Sequence, residues 1–158
     1  MEQTHKALIE KFYQAFQNGD AEGMVACYHP DIEFQDPAFG KLKGEKAKNM
    51  WRMLIERSDG NSVITFKDVQ ANEQTGSAYW EAKYLFKQTG RQVHNKIQAS
   101  FVFKEGKIIQ HHDHFNFWKW SSMALGTPGK LLGFTGFLKK KVRKKVLHLL
   151  DSYTKQRS

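Results

Sequence analysis

Gly106-Lys-Ile-Ile-Gln-His-His-Asp-His-Phe-Asn-Phe-Trp-Lys-Trp120 reads as a long last strand, since β-branched and aromatic residues dominate it and no proline interrupts it. Side chains alternate across a strand, so His111, Asp113, Phe115 and Phe117 share one face. The opposite face takes Gln110, His112, His114, Asn116 and Trp118. An acid and an imidazole set into an apolar wall are what a pocket for an apolar molecule needs. The same pair can equally be a structural hydrogen bond inside a core, and the residues alone leave both open.

Three further runs precede this one and alternate with period two, at residues 63–71, 78–88 and 92–104. Thr89-Gly90 and Glu105-Gly106 are tight breaks, so the four runs are expected to pair as an antiparallel meander. Trp80, Ala82, Tyr84 and Phe86 share a face of the second run. Asn95, Ile97, Ala99, Phe101 and Phe103 share a face of the third. The chain before residue 62 has the other period. Leu8, Phe12, Ala15 and Phe16, widened by Ile9 and Tyr13, predict an amphipathic helix over residues 4–18. Asn18-Gly19 ends it, and Asp20 caps a short second helix that carries Met24, Val25 and Tyr28.

His29-Pro30 breaks that helix, and residues 32–36 alternate as a short strand with Ile32, Phe34 and Asp36 on one face. Asp36 is the polar member of an apolar set and stands before Pro37, where an aspartate commonly starts a turn. A loop through Gly40 and Gly44 leads to a third helix with Ala47, Met50, Trp51, Leu54 and Ile55 as its buried stripe. Three helices followed by a curved antiparallel sheet predict an α+β fold, with the helices closing one side of the sheet.

Charge divides the chain unevenly. The 158 residues carry a formal net charge of +9. Residues 1–120 hold 16 Lys/Arg against 15 Asp/Glu, whereas residues 121–158 hold 9 Lys/Arg against Asp151 alone. A nearly neutral domain (1–120) with a basic extension (121–158) does not have the spread-out basic surface of a nucleic-acid binder. Cys27 is the single cysteine, so no internal disulfide forms and a reducing, cytoplasmic setting is expected. No basic-then-apolar leader and no apolar run near ~20 residues is present, so neither a signal peptide nor a spanning helix is expected.

Within the extension, Thr127-Pro128 opens a short turn and Thr135 starts a helix through about Tyr153. Leu138, Val142, Val146, Leu149, Leu150 and Tyr153 form its stripe, and six basic residues crowd positions 139–145. The favoured reading docks that stripe on the domain or on a dimer mate and leaves the lysines solvated. The alternative lays residues 134–153 on an anionic membrane surface, helped by Leu131, Leu132, Phe134 and Phe137. Trp118 and Trp120, placed on the polar side of the last strand, make the sheet too apolar for a monomer, so a homodimer is expected.

Asn18-Gly-Asp20, Tyr28-His-Pro-Asp-Ile-Glu-Phe-Gln-Asp-Pro37 and Gly106-Lys-Ile-Ile109 ahead of an acid together resemble the nuclear transport factor 2-like superfamily. Within it they are most similar to the SnoaL-like branch, which includes polyketide cyclases and is related to ketosteroid isomerase and limonene-epoxide hydrolase. The resemblance spans residues 4–120. It implies a cone-shaped curved antiparallel sheet closed by three N-terminal helices, a deep apolar pocket and a homodimer packed through the sheet. The amphipathic basic C-terminal helix is an addition to that plan. The fold hosts enzymes, binders and transport modules alike.

The isomerase's general base sits in an Asp-Pro pair, which Asp36-Pro37 matches. Its two oxyanion donors fall on Phe12 and Ala99, with Tyr13 one step off, so steroid isomerisation by that mechanism is not expected. The hydrolase and cyclase relatives keep an acid in the last strand, and Asp113 falls on it. Their arginine and second aspartate have poor counterparts in Glu81 and Lys83. The expected site is therefore Asp113 as acid/base, His111 as its orienting partner and Asp36 as second base or polar anchor. Ligand contacts are expected from Phe12, Tyr13 and Phe16, Phe34, Met50 and Leu54, Trp80 and Tyr84, Asn95, Ala99 and Phe101, and Phe115.

The function expected is binding of a small apolar molecule, with isomerase, cyclase or hydrolase chemistry or with none. His112 and His114 point away from His111 and Asp113, so the run supplies too few converging ligands for zinc, and neither metal nor cofactor is expected.

Overall fold

Ile9, Phe12, Tyr13 and Ala15 recur at helical spacing, and in the computed structural model of the chain, which describes residues 2–157, they form the buried stripe of α1 (Glu2–Gln17). Gly19 takes the left-handed φ of +66° that ends the helix, and the Asp20 carboxylate accepts from the Gly23 N–H to cap α2 (Ala21–Val25). Tyr28 leaves this helix, contrary to expectation, and opens strand β1 (Tyr28–Asp36). Residues 40–43, expected as loop, form β2 (Gly40–Lys43) against β1. The three-residue turn between them is built by Asp36 Oδ1, which accepts from the backbone N–H of Ala38 (2.9 Å) and Phe39 (2.6 Å). Gly40 at φ +74° completes the turn.

Helix α3 (Glu45–Ser58) follows and buries Ala47, Met50, Trp51 and Met53. Leu54, expected in this stripe, keeps substantial exposure because it faces a cavity instead of packed side chains. Four strands then meander: β3 (Val63–Ala71), β4 (Thr75–Phe86), β5 (Arg91–Lys104) and β6 (Lys107–His114). Glu105 and Gly106, at φ +54° and +75°, make the two-residue turn between β5 and β6 with both residues left-handed. The six strands form one curved, unclosed sheet in the order β2-β1-β6-β5-β4-β3. The fold is α+β as expected, with one departure: β1 runs parallel to β6, so the sheet is mixed and not wholly antiparallel.

The last strand is shorter than its residues predict. It stops at His114, and Asn116 accepts from the Lys119 N–H (3.0 Å) to cap α4 (Phe117–Leu125). Aromatic residues suit a strand or a buried helix face equally well, and the asparagine cap decides between them here. Phe117 and Trp120 turn inward and pack with Ala38, Val93 and Ala124 as a second small core. Trp118 and Trp120 therefore do not stand on the sheet, and the reason given for a homodimer is removed. The outer sheet face carries Lys96, Gln98, Ser100, Gln110 and His114 instead, all exposed.

Two more helices complete the chain, α5 (Thr127–Leu132) and α6 (Gly136–Arg157). A Cβ at Gly129 would lie 1.9 Å from the Ser121 carbonyl oxygen, so only glycine lets α5 approach α4 this closely. Helix α6 crosses back over α3, where Asn49 donates to Thr154 Oγ1 (3.4 Å) and Lys46 pairs with Asp151 (3.6 Å). Leu150 is fully buried in the main core, and Val146, Leu149 and Tyr153 pack on it. The side chain of Arg143 donates to the carbonyls of Pro37 (3.1 Å) and Ala38 (3.3 Å), tying α6 to the β1–β2 turn. No helix among the described residues is long and apolar enough to cross a membrane.

Candidate functional site

The inner face of the sheet, α3 and α6 enclose an apolar cavity of about 610 Å³, the size of a small-molecule site. Strand pairing sets its chemistry. Phe34 lies opposite His111, and Ala99 opposite Asp113, which fixes which side chains of β1, β5 and β6 point inward together. Asp113 reaches the cavity wall. Its Oδ1 accepts from Trp80 Nε1 (3.2 Å) and from His111 Nε2 (2.9 Å), while Oδ2 has no protein partner among the described residues.

Behind Asp113 runs a buried hydrogen-bond relay. Trp51 Nε1 donates to the Tyr28 hydroxyl oxygen (2.8 Å), and that hydroxyl is 2.7 Å from His111 Nδ1. An indole N–H can only donate, which leaves the Tyr28 hydroxyl proton free to be donated to Nδ1. The tautomer that fits this geometry carries its proton on Nε2 and donates it to the Asp113 carboxylate, with Nδ1 accepting from Tyr28. Burial holds the Tyr28 phenol well above its usual range, which keeps it a donor. His111 itself is fully enclosed by Phe12, Phe34, Trp51 and Phe101 and does not line the cavity. It orients the acid from behind.

Asp36 borders the same cavity and also a smaller polar pocket of about 180 Å³, shared with Asp113 and Arg143. Burial raises its carboxyl to about 7; the nearby Asp113 charge adds to the rise, and the Phe39 and Ala38 N–H groups and Arg143 oppose it. Asp36 is half-buried and lines both cavities.

Two neutral donors complete the wall. Tyr84 accepts from Trp120 Nε1 (2.8 Å), so its own hydroxyl proton is free to point inward, and burial raises its phenol too. The Asn95 amide is nine-tenths buried in the wall and makes no side-chain hydrogen bond to the described residues. On the open side the exposed lining residues that carry charge are Arg57, Lys87, Lys141 and Lys145, all basic.

Of the expected ligand contacts, the structure brings Phe16, Phe34, Met50, Leu54, Trp80, Tyr84, Asn95 and Phe115 to the cavity. Phe12, Tyr13, Ala99 and Phe101 are corrected: they lie one layer behind it, closed off in the main core. The reason is packing. Phe12 and Phe101 sit on His111, and Tyr13 stacks on Phe66 and lies against Trp80. The Tyr13 hydroxyl is buried without a partner among the described residues. The contribution of α6, through Leu138, Val142, Val146 and Leu149, carried no site signal in the sequence. Nor did the Tyr28–Trp51 relay, because Tyr28 reads as helix. His112 and His114 stack together on the outer face, and no group of three or more metal-ligating side chains converges among the described residues.

A family model described as a SnoaL-like domain matches residues 9–111. No curated protein matches the sequence. Solved structures do. One, from Xanthomonas campestris pv. campestris and provisionally assigned as a polyketide cyclase, is 18% identical, covers 78% of this chain and 98% of its own, and gives a TM-score of 0.64. TerC, crystallised with polyporic acid, is 16% identical over 75% of this chain and 96% of its own, at 0.63. An LEH-like epoxide hydrolase from M. tuberculosis is 17% identical over 83% of this chain and 96% of its own, at 0.61. At these identities the likeness is one of fold.

Proposed function

The chain belongs to the SnoaL-like family, and from that premise we propose that its cavity binds a small, mostly apolar molecule and moves a proton on it, with Asp113 as the acid/base. The observation that carries this is the asymmetry of the Asp113 carboxylate. One oxygen is fixed by two N–H donors, and the other is unpartnered among the described residues, on a side chain that borders both the apolar cavity and the smaller polar pocket. That is the posture of a group held ready for a proton.

The roles follow from the geometry. Oδ2 of Asp113 takes a proton from a carbon or hydroxyl of the bound molecule and returns it at another atom, so no co-reactant is consumed. Asp36 is half ionised near neutral pH and serves as the second carboxyl, receiving or supplying a proton on the same molecule. Tyr84 and Asn95 donate to the oxygen on which negative charge develops. They do the work that a steroid isomerase assigns to positions occupied here by Phe12 and Ala99. His111 and Tyr28 keep Asp113 in place.

Native mass spectrometry of the purified chain, together with displacement of the fluorescent apolar probe anilinonaphthalene sulfonate, tests the cavity. One displaceable probe per chain is expected; a chain that binds none overturns the reading. Asp113→Asn is expected to keep the melting temperature within a few degrees, because an amide oxygen still accepts from Trp80 and His111. It should retain probe binding and lower turnover of any ligand found by about 10²–10⁴-fold. A variant that turns over like the native chain removes Asp113 from the chemistry. A ligand that binds but is never converted makes the cavity a non-catalytic binding site.

A further inference from the structure

The stripe of α6 is spent on the fold, yet a different apolar surface is left open where α4, α5 and the first turn of α6 meet. Phe134 is 71% exposed, Phe137 69%, Leu131 66%, Trp118 50% and Leu132 44%. Large apolar side chains scattered singly on a surface need no explanation, but five clustered within twenty residues of chain do. The corner is also held firmly. Trp118 Nε1 donates to the Lys130 carbonyl (3.0 Å), and the Trp118 ring meets Phe134 edge-on at 6.2 Å. Gly133 lets the chain approach Ser121 Oγ and the Gly129 carbonyl, which a Cβ would meet at 2.2 and 2.4 Å, and the Thr135 hydroxyl accepts from the Leu138 N–H at the start of α6.

Basic residues flank it. Lys119, Lys130 and Lys140 are exposed along the same stretch of chain, and none has an acidic partner among the described residues. From residue 114 to the end the chain has one acidic side chain, Asp151, and it pairs with Lys46. A symmetric pairing of two such corners would set lysines against lysines, and an acidic surface suits them better.

We propose that this corner docks the protein on an anionic membrane surface. Leu131, Leu132, Phe134 and Phe137 enter the boundary between headgroups and acyl chains, Trp118 sits at headgroup level, and the lysines meet the lipid charge. The attachment is peripheral and uses a rigid edge of the fold. It differs from an amphipathic helix laid flat, since the apolar face of α6 is buried against α3 and the cavity.

Flotation of the full chain with phosphatidylcholine vesicles, with and without phosphatidylserine, tests this. Binding is expected to the phosphatidylserine vesicles at low salt and to fall steeply as salt rises. Leu131→Ser with Phe137→Ser removes two exposed side chains that take no part in the Trp118–Phe134 contact, so the melting curve should not move while vesicle affinity drops about a hundredfold. Lys130→Glu with Lys140→Glu, two exposed residues that line neither cavity, should erase the preference for phosphatidylserine. A native chain that does not float, or a serine double variant that floats like it, overturns the proposal. So does light scattering in which the native chain is dimeric and the serine variant monomeric, because a second copy then covers the corner.

Discussion

Asp36 serves two ends that pull its proton in opposite directions. As a turn builder it accepts two backbone N–H groups, which favours the ionised form; as part of an apolar cavity wall beside Asp113 it is pushed toward the neutral one. The cavity wins, and the carboxyl stands at about 7 against an ordinary value of 3.8. The native chain thus holds a proton that the unfolded chain has already released, so stability falls as pH rises between those two values and levels off above them. Asp36→Asn keeps an oxygen to accept from Ala38 and Phe39 but loses the titration. Its melting temperature should match that of the native chain near pH 4 and exceed it by a margin that opens up to about pH 7. Parallel melting curves across that range would show that Asp36 ionises normally. At this scale strand alternation exposes much of the site: Asp113 and Asp36 are polar residues in apolar sets, and alternation alone puts them inside. The relay behind Asp113 is hidden, because Tyr28 and Trp51 reach His111 across 83 and 60 residues of chain and no local pattern encodes that meeting.

Elements repeat the same contrast between local and long-range information. Strands β3, β4 and β5 lie within a few residues of where alternation and the Thr89-Gly90 and Glu105-Gly106 turns place them. The last strand ends early because the six residues after His114 satisfy a strand pattern and a helix pattern alike, and Asn116 tips the balance. Strand β2 is four residues long, too short for periodicity to show, and is held by its pairing with β1. The α4–α5 corner rests on a close approach that nothing in the local pattern of Gly126-Thr-Pro-Gly129 announces. Gly129→Ala puts a methyl group into the Ser121 carbonyl, and neither backbone can yield without moving a helix. A loss of at least ~1–3 kcal/mol is expected in urea unfolding. Because Leu125 and Pro128 of this corner line the cavity, weaker probe binding should accompany it. A variant as stable as the native chain would mean that α5 sits further from α4.

For the molecule as a whole, α6 is where the basic extension becomes part of the domain it follows. Resemblance to a known plan covers residues 4–120 and is silent about what comes after, yet the cavity is walled on one side by residues 138–149. Adjacent residues of α6 separate two jobs. Leu150 is fully enclosed in the main core, whereas Leu149 faces the cavity. Leu150→Ala leaves a sealed void and should cost about 2–5 kcal/mol in urea unfolding with little change in probe affinity. Leu149→Ala only widens a space that already exists, so its cost should stay near about 1 kcal/mol. Leu149→Trp extends bulk into that space, where no packed neighbour is displaced. It should leave stability nearly unchanged and weaken anilinonaphthalene sulfonate binding by roughly tenfold or more. The contrast is decisive because the two positions share a helix turn, a residue type and an electrostatic setting, and differ in what lies opposite. Equal stability losses at 149 and 150 would mean that α6 packs against a filled core on both sides, and the cavity would then not be a binding site at all.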